Sequence, residues 1–372
     1  MERHAAEQAV ILIPSLEPDE RLPAYIQKLK EGGFAHIVVV DDGSGPAFRQ
    51  IFEEVDAVED AVVLCHEVNQ GKGVALKTGY RYIMDHLPEI SGVITADADG
   101  QHTVKDCLRL AEELENGKRA LFLGSRDFNL ENVPPKSRSG NKITTAVFKL
   151  LYGQYLPDTQ TGLRAFRKEE LPFMLQVEGE RYEYEMKVLI ACSRSGIPMI
   201  PVTIETIYEN DNEGTHFHPI RDSWRIYKVL LGSFLKFMGS SLICVLVDQV
   251  LSNVFLHWLF PMLHINIHWK LPLGLTLDNR SLANYAARLI SAIMNFKLNK
   301  ELVFKVKGQR GAALRYAVTA VFIVVLSTLG IKVLMHAGIN FTAAKIIMDT
   351  ILYFVSYRLQ QRWVFREDAR DE

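Results

Sequence analysis

Four long apolar stretches in the C-terminal part of the chain constrain its fold most strongly. They cover approximately residues 237–260, 282–303, 314–337 and 341–364. Each is close to the ~20 residues with which a helix spans a bilayer. One such stretch is also typical of a core helix, but four in succession with short links favour membrane spans. We therefore predict an all-α four-helix transmembrane domain over residues 229–372.

The preceding part of the chain has a different pattern, in which short apolar runs alternate with amphipathic segments. Runs at 9–13, 36–40, 61–64, 92–94 and 119–123 predict buried strands, and the segments between them predict helices. This alternation is typical of a doubly wound α/β sheet. A chain of 372 residues is long enough for two domains, and residues 1–228 are predicted to form the first.

Charge and cysteine content exclude several classes of protein. The net charge is −2, so the chain lacks the basic field of a nucleic-acid-binding protein. Its four cysteines form no C-x-x-C pair, which argues against a zinc site or a disulfide framework and fits a reducing compartment. The first eight residues are polar and charged, and we expect no signal peptide.

Polar residues gather where the predicted strands end. Carboxyl ends of parallel strands share one edge of a sheet, and ligands bind at that edge. The sequence therefore predicts one shared site from five separate segments. They are Ser15, Asp41 with Asp42, residues 69–73 around Lys72, residues 97–102, and Ser125 with Arg126.

The segment after the fourth strand carries two carboxylates, Asp97 and Asp99, with Gln101 and His102 close behind. Oxygen ligands at this spacing suit Mg2+ or Mn2+, ions that also hold substrate phosphates. A simple acidic turn is the alternative, since Asp and Gly are common in turns. The segment also resembles the D-x-D-G-T motif of haloacid-dehalogenase phosphatases, but Gln101 replaces the Thr and the motif follows the fourth strand rather than the first.

The glycine loop around Lys72 fails two phosphate-binding motifs. A dinucleotide fingerprint needs Gly or Ala at position 76, and a P-loop needs Gly before Lys77; Leu76 violates both. Two interpretations remain open. Lys72 and the loop backbone form a cradle beside a diphosphate, or the loop is a solvated turn that caps a helix.

Taken in order, these segments resemble family-2 glycosyltransferases of the GT-A fold, and within them the polyprenyl-phosphate (dolichyl- or undecaprenyl-phosphate) hexose synthases. The resemblance covers roughly residues 10–228 and rests on the stretches at 11–14, 38–44, 69–73, 97–102, 124–126 and 161–164. The C-terminal part resembles a GtrA-type membrane domain. Its residues 295–304 are similar in sequence to residues 356–365, as in a duplicated helical hairpin. A GT-A domain implies a Rossmann-like mixed sheet.

The resemblance also implies roles for individual residues. Asp97, Asp99 and Gln101 would hold the divalent metal, Mg2+ or Mn2+, and the sugar diphosphate. Pro14, Ser15, Asp41, Asp42 and Lys72 would bind the rest of the nucleotide sugar, with Asp41 or Asp42 on the nucleoside. Asp99, Asp158, Arg126 and Arg138 would form the catalytic group, the two arginines facing the acceptor phosphate and Asp158 acting as a base or an orienting acid.

Two segments depart from the family pattern. Leu16-Glu17-Pro18 replaces the family's Tyr-Asn-Glu, and residues 208–218 replace its late basic segment.

The implied reaction moves a hexose from a UDP- or GDP-hexose to a polyprenyl (undecaprenyl) phosphate, with inversion, for cell-surface polysaccharide or glycan modification. The membrane domain would anchor the enzyme and help translocate the lipid-linked sugar. Basic residues concentrate at 297–310 and 358–370, which places these segments and the catalytic domain on the cytoplasmic side of a bacterial plasma membrane. Homo-oligomerisation stays open. Asp248 lies inside the first span. It is expected to pair with Arg288, to be a protonated and hydrogen-bonded carboxyl inside the bundle, or to line a polar route or headgroup site for lipid.

Two other functions remain as alternatives. One is a non-catalytic lipid-sugar translocator or scaffold with a degenerate transferase domain. The other is a processive polysaccharide synthase, since residues 360–363 are similar to a Q-x-x-R-W motif, although they follow the last span. The size of the product distinguishes a monoglycosylated lipid from a polymer.

Overall fold

The computed structural model describes residues 2–130, 133–206, 219–270, 276–306 and 311–365. The chain divides into two compact units, Met1–Leu230 and Leu231–Glu372. Residues 208–218, where the sequence departs from the family pattern, lie outside the described part. So do residues 307–310 and 366–372, which contribute to the predicted membrane orientation.

The first unit contains a seven-stranded mixed sheet with strand order β3-β2-β1-β4-β6-β5-β7. The strands are β1 (Ala9–Ser15), β2 (His36–Asp41), β3 (Ala61–Cys65), β4 (Gly92–Thr95), β5 (Leu121–Ser125), β6 (Arg164–Arg167) and β7 (Met199–Thr203). The helices are α1 (Glu2–Gln8), α2 (Arg21–Glu31), α3 (Arg49–Asp56), α4 (Lys72–His86), α5 (Val104–Glu115), α6 (Pro135–Tyr152), α7 (Leu171–Gln176) and α8 (Glu183–Ser195).

The core lies on both sides of β1, whose residues Ala9 to Ile13 are fully buried. Such a continuous apolar strand is typical of the centre of a parallel sheet covered by helices on both faces. On one face, Ile11 and Ile13 belong to the same buried cluster as Leu110 of α5 and Ile26 of α2. The predicted strand–helix alternation is therefore confirmed.

One strand runs against the others and determines the shape of the site. β1 pairs in parallel with β2 and β4, and β5 with β7, whereas β6 is antiparallel to both β4 and β5. The residues before β6 consequently arrive at the edge where the parallel strands end. This reversal explains how residues 158–163 reach that edge, and strand–helix alternation alone did not predict it.

Several predicted element ends were wrong. β1 continues through Pro14 to Ser15, because Pro14 lacks only the N–H and its neighbours still pair with β2. β4 ends at Thr95, one residue beyond the apolar run predicted at 92–94. The two prolines at 134 and 135 give residues 129–139 a sequence typical of a loop, but α6 begins at Pro135, because the first helical position tolerates proline.

The second unit is mainly helical. Its elements are the long α9 (Pro219–Val254, which begins in the first unit), a π-helical turn at Phe255–Leu259, α10 (Phe260–Met262), a short hairpin of β8 (His268–Lys270) and β9 (Thr276–Asp278), α11 (Asn279–Leu298), α12 (Ala312–His336) and α13 (Phe341–Leu359). Two helical stretches among the described residues, Trp224–Met262 and Ala312–His336, are long and apolar enough to cross a membrane. Helices occupy all four predicted spans, but the count of four spans stays a prediction.

The two similar sequence segments, 295–304 and 356–365, also have similar backbone structure. α11 and α13 each pass directly into a five-residue π-helical turn, Asn299–Val303 and Gln360–Val364. Asn299 and Gln360, the first residues of the two turns, bond to each other through their side-chain amides at 3.0 Å. Asp248 pairs with Arg288 at 3.5 Å, which is one of its expected environments.

Candidate active site

Residues 97–102, which carry Asp97 and Asp99, are fixed by hydrogen bonds on either side. Ala96 N donates to Leu12 O at 3.0 Å as the last link to β1, so the chain leaves the sheet just before Asp97. At the other end, Thr103 caps α5 by accepting a hydrogen bond from Asp106 N at 3.1 Å. Residues 97–102 therefore form a short bridge between a strand end and a helix start, at the edge shared by the parallel strands.

The Asp97 carboxylate contacts two neighbouring side chains. Its Oδ1 lies 2.7 Å from Lys72 Nζ and its Oδ2 3.2 Å from His102 Nε2. Burial disfavours the charged carboxylate, but the Lys72 ammonium and the His102 ring outweigh burial and hold the pKa of Asp97 well below its usual range. Asp97 is therefore an ionised, firmly oriented carboxylate.

Lys72 bridges two carboxylates. Its ammonium also contacts Glu185 Oε1 at 3.1 Å, and only 16% of its side chain is exposed. Burial opposes its charge, but Asp97 and Glu185 raise the pKa of Lys72 above its usual value. Lys72 is thus a fixed cation at this edge, which fits the predicted cradle better than a solvated turn.

Glu185 and Gly162 were not assigned by sequence reasoning. The only signal for Glu185 was its place among the acidic residues that open α8. Gly162 belongs to the turn before β6 and faces Asp97, because a Cβ built on it would lie 2.3 Å from Asp97 Oδ2. Its carbonyl accepts a hydrogen bond from Thr95 Oγ1 at 2.8 Å, which fixes this close approach.

Asp99 lies beside Asp97 with fewer partners. Its Oδ1 accepts a hydrogen bond from Gln101 N at 3.0 Å. Burial, and then the negative charge of Asp97, raise the pKa of Asp99 above its usual value. Such a carboxylate gains most from a nearby cation. Within the described ranges, no cluster of three or more His, Cys, Asp or Glu side chains could hold a metal ion by itself.

Asp42 organises the glycine loop. Its Oδ1 accepts hydrogen bonds from Gln70 N at 3.0 Å and lies 2.8 Å from His66 Nδ1, and its Oδ2 accepts from Gly71 N at 2.7 Å. Both oxygens of Asp42 are therefore used to hold the loop that precedes Lys72.

Asp41 ties together the loops after β1 and β2. Its Oδ1 accepts a hydrogen bond from Ser44 N at 2.9 Å, and Ser44 Oγ accepts from Glu17 N at 2.8 Å. Pro14 and Ser15, at the end of β1, lie next to Asp41, since Ser15 is in register with it. The Ser15 hydroxyl is buried and contacts no hydrogen-bond partner among the described residues.

Arg126 and Asp158 form a second cluster. The Arg126 guanidinium donates through Nε to Asp158 Oδ2 at 2.7 Å and through Nη2 to Oδ1 at 3.3 Å. Asp158 is fully buried, whereas 25% of the Arg126 side chain is exposed. Arg138, in the first turn of α6, instead donates through Nη2 to Leu130 O at 2.7 Å. The carboxylate is committed to the arginine, and the arginine still reaches the surface.

Comparison with known proteins agrees with this architecture. Residues 10–171 match the family described as Glycosyl transferase family 2, and residues 271–365 match the family described as GtrA/DPMS, transmembrane domain. An uncharacterised protein of Methanocaldococcus jannaschii is 32% identical over 207 residues, which are 54% of this chain and 82% of that protein. The UDP-N-acetylglucosamine–dolichyl-phosphate N-acetylglucosaminyltransferase of Methanococcus voltae is 28% identical over 53% of this chain and 85% of its own length.

Among solved structures, glucosyl-3-phosphoglycerate synthase of Mycobacterium tuberculosis aligns with a TM-score of 0.47 and 16% identity, over 62% of this chain and 82% of that chain. The mixed α/β sheet with an acidic edge and the helical C-terminal unit define a glycosyltransferase of the GT-A fold with a membrane domain. The chain belongs to glycosyl transferase family 2, and its C-terminal part is a GtrA-like transmembrane domain, as the sequence predicted.

Proposed function

We propose that this membrane glycosyltransferase moves a hexose from a nucleotide-diphosphate sugar to a polyprenyl phosphate on the cytoplasmic face of the membrane. The observation that carries the proposal is the chain of contacts from Glu185 through Lys72 to Asp97, beside Asp99 at the sheet edge. It sets a fixed cation and an acidic pair where a sugar diphosphate would lie. The names of relatives that act on dolichyl or undecaprenyl phosphate support the acceptor.

The residues present fit a divalent metal bound together with the substrate. Mg2+ is commonly held by one or two carboxylates plus substrate phosphates, so a cage of three protein ligands is not required. Asp99 is the main ligand in this proposal, since among the described residues its carboxylate accepts a hydrogen bond only from the backbone N–H of Gln101, in its own turn. Asp97 and Gln101 complete the set. When bound, Mg2+ or Mn2+ supplies positive charge to the leaving diphosphate.

Lys72 contributes a second positive charge at the leaving group. Cleavage of the glycosidic bond places negative charge on the diphosphate, and a preorganised cation stabilises that charge without rearrangement. The loop before Lys72, held by Asp42, directs the ammonium to this place. Asp42 therefore acts through the loop, and Asp41 with Pro14 and Ser15 is the better candidate for the nucleoside.

The acceptor phosphate is assigned to Arg126 and Arg138. Arginine pairs bidentately with phosphate, and the Asp158 carboxylate holds the Arg126 fork in one orientation. A phosphate acceptor is already anionic near neutral pH, so the reaction needs no strong base. Asp158, buried and paired, is proposed as a positioning residue. Attack by the phosphate on the anomeric carbon opposite the diphosphate would invert that centre.

The test is transfer by the purified full-length protein in detergent or nanodiscs. Labelled UDP- and GDP-sugars are offered with undecaprenyl or dolichyl phosphate, with and without Mn2+, and the product is sized by mass spectrometry. The proposal expects a monoglycosylated lipid phosphate that depends on the metal. A polymer would instead identify a processive synthase, and no product with any donor would favour a translocator or scaffold.

The cytoplasmic assignment has its own test. Single cysteines introduced at residues 105 and 270 of a cysteine-free variant are labelled by a membrane-impermeant maleimide in intact cells and in lysed cells. Residue 105 lies in the catalytic domain, and residue 270 lies between the first two predicted spans. We expect the cysteine at residue 105 to be labelled only in lysed cells, and the cysteine at residue 270 to be labelled in intact and in lysed cells. The reverse pattern would overturn the orientation.

A further inference from the structure

Arg164, the first residue of β6, is a buried cation that the proposed mechanism does not use. Only 5% of its surface is exposed, and it forms no salt bridge within the part of the chain that the structure describes. Its Nη2 is buried and contacts no hydrogen-bond acceptor there. Burying a charge without a charged partner is costly, so a specific structural reason for this guanidinium is expected.

The two hydrogen bonds of Arg164 reach the two elements that surround Asp97 and Lys72. Its Nε donates to Thr161 O at 3.0 Å, and its Nη1 donates to Glu185 O at 2.8 Å. Both acceptors are main-chain carbonyls, so these bonds fix backbone positions. The guanidinium is planar and rigid, and it therefore fixes the spacing between the two carbonyls.

Each bond continues to the acidic site by a short path. From Thr161, the next residue is Gly162, where a Cβ, if one were present, would lie 2.3 Å from Asp97 Oδ2. From the Glu185 backbone, the path runs through the Glu185 side chain to Lys72 Nζ at 3.1 Å, and from there to Asp97 Oδ1 at 2.7 Å. Two routes from one side chain thus converge on one carboxylate.

We propose that Arg164 is a positioning residue of the active site, which sets the place of Asp97 by holding the Thr161–Gly162 turn and the Glu185–Lys72 pair at a fixed separation. Its role in transfer rests on the proposed function, whereas its effect on Lys72 does not. Lysine at this position would keep the charge but would not span both carbonyls with a fixed fork. Charge alone is therefore insufficient for the role.

The first test measures the accessibility of Lys72 and needs no substrate. The full-length protein is treated briefly with an amine-modifying reagent, and modification of Lys72 is followed by peptide mass spectrometry, with exposed Lys105 as the internal reference. Arg164→Met should release Glu185 and raise the labelling rate of Lys72 severalfold, and Arg164→Lys should give an intermediate rate. Glu185→Gln, which keeps the main-chain carbonyl, should raise it as well.

Arg167→Met is the matched control. Arg167 ends the same strand, is partly exposed and pairs only with nearby Glu169 among the described residues. Its loss should leave Lys72 labelling at the wild-type rate. Equal labelling in Arg164→Met and Arg167→Met would overturn the proposal. Should Arg164→Met fail to fold by circular dichroism, wild-type labelling in both Arg164→Lys and Glu185→Gln would overturn it as well.

The second test concerns transfer and separates positioning from general instability. Residues that orient a metal-binding or catalytic group typically contribute 10–100-fold to affinity or activity. Arg164→Lys should therefore raise the Mn2+ concentration for half-maximal rate about tenfold, with an unchanged KM for the lipid acceptor. An equal loss for donor, metal and acceptor would contradict the role. Inactive wild-type protein would refute only the proposed function, because Lys72 labelling is measured without it.

Discussion

Replacing Gly162 with alanine tests the geometry of the acidic site most directly. Added to the present backbone, the new Cβ would lie 2.3 Å from Asp97 Oδ2, 2.6 Å from Oδ1 and 2.7 Å from Cγ. A carbon and an oxygen that are not bonded approach to about 3.2–3.5 Å, so the carboxylate or the turn must move by about 1 Å. The Gly162 backbone does not lie in the left-handed region, so any effect comes from this contact and not from backbone strain.

A displacement of this size acts on two bonds. Moving Asp97 by about 1 Å lengthens its contacts with Lys72 and His102 beyond hydrogen-bonding distance. A misplacement of about 1 Å in a catalytic arrangement costs roughly 100-fold in rate, which corresponds to about 2.7 kcal/mol of transition-state stabilisation. We expect Gly162→Ala to lower kcat/KM for the donor by about this factor.

The assay is transfer of labelled sugar by full-length protein over a range of Mn2+ concentrations, with thermal unfolding of each variant measured in parallel. Gly140→Ala is the matched control, since a Cβ built at Gly140 meets no described atom within 4 Å apart from its chain neighbours and the backbone of its own helix. That variant should keep wild-type activity, and its helix should gain up to about 1 kcal/mol. Wild-type kcat/KM in Gly162→Ala, or an equal loss in both variants, would refute the reasoning.

Three further outcomes are expected. Asp99→Asn should reduce metal-dependent transfer at least 100-fold at unchanged thermal stability, and retained activity would remove Asp99 as the metal ligand. Asp158→Asn should destabilise the first unit by about 3 kcal/mol in urea unfolding and raise the KM for lipid phosphate, because the Arg126 guanidinium loses its orienting partner. An activity loss rescued at high pH would instead identify Asp158 as a base. Iodoacetamide at pH 8 should modify exposed Cys65 well before buried Cys107, whose pKa is raised to about 12 by burial, and equal rates would contradict the packing of α5.

The local sequence was sufficient to predict most of the sheet. Continuous apolar runs identify β1 and β2 because a strand covered on both faces must be apolar along its whole length. Asp97 and Asp99 were located at a strand end for the same reason. The prediction was weaker for element ends, as at Ser15 and Thr95, because the last ladder bonds depend on the neighbouring strand and not on the residue itself.

The partners of the site residues could not be read from the sequence. Lys72 and Glu185 are separated by more than a hundred positions, and nothing in the local pattern of either predicts their pairing. The sequence did not predict the pairing of Arg126 with Asp158 either, although both residues were expected at the site. Their contact required β6 to run antiparallel, which brings the turn before it to the same edge as the end of β5.

The sequence by itself determined which chemistry is available: two acidic residues after a strand, a lysine in a glycine loop, two arginines, and long apolar helices. Residue type and periodicity decide these features because they are local properties of the chain. Only the tertiary structure decided how the groups are used. It commits Asp42 to a loop and Asp158 to an arginine. Within the described part of the chain it leaves Asp99 with one hydrogen bond, from a backbone N–H, and it places Gly162 and Arg164 around Asp97. Hydrogen bonds and close contacts between distant segments form only when the sheet order is established, so their assignment belongs to the fold.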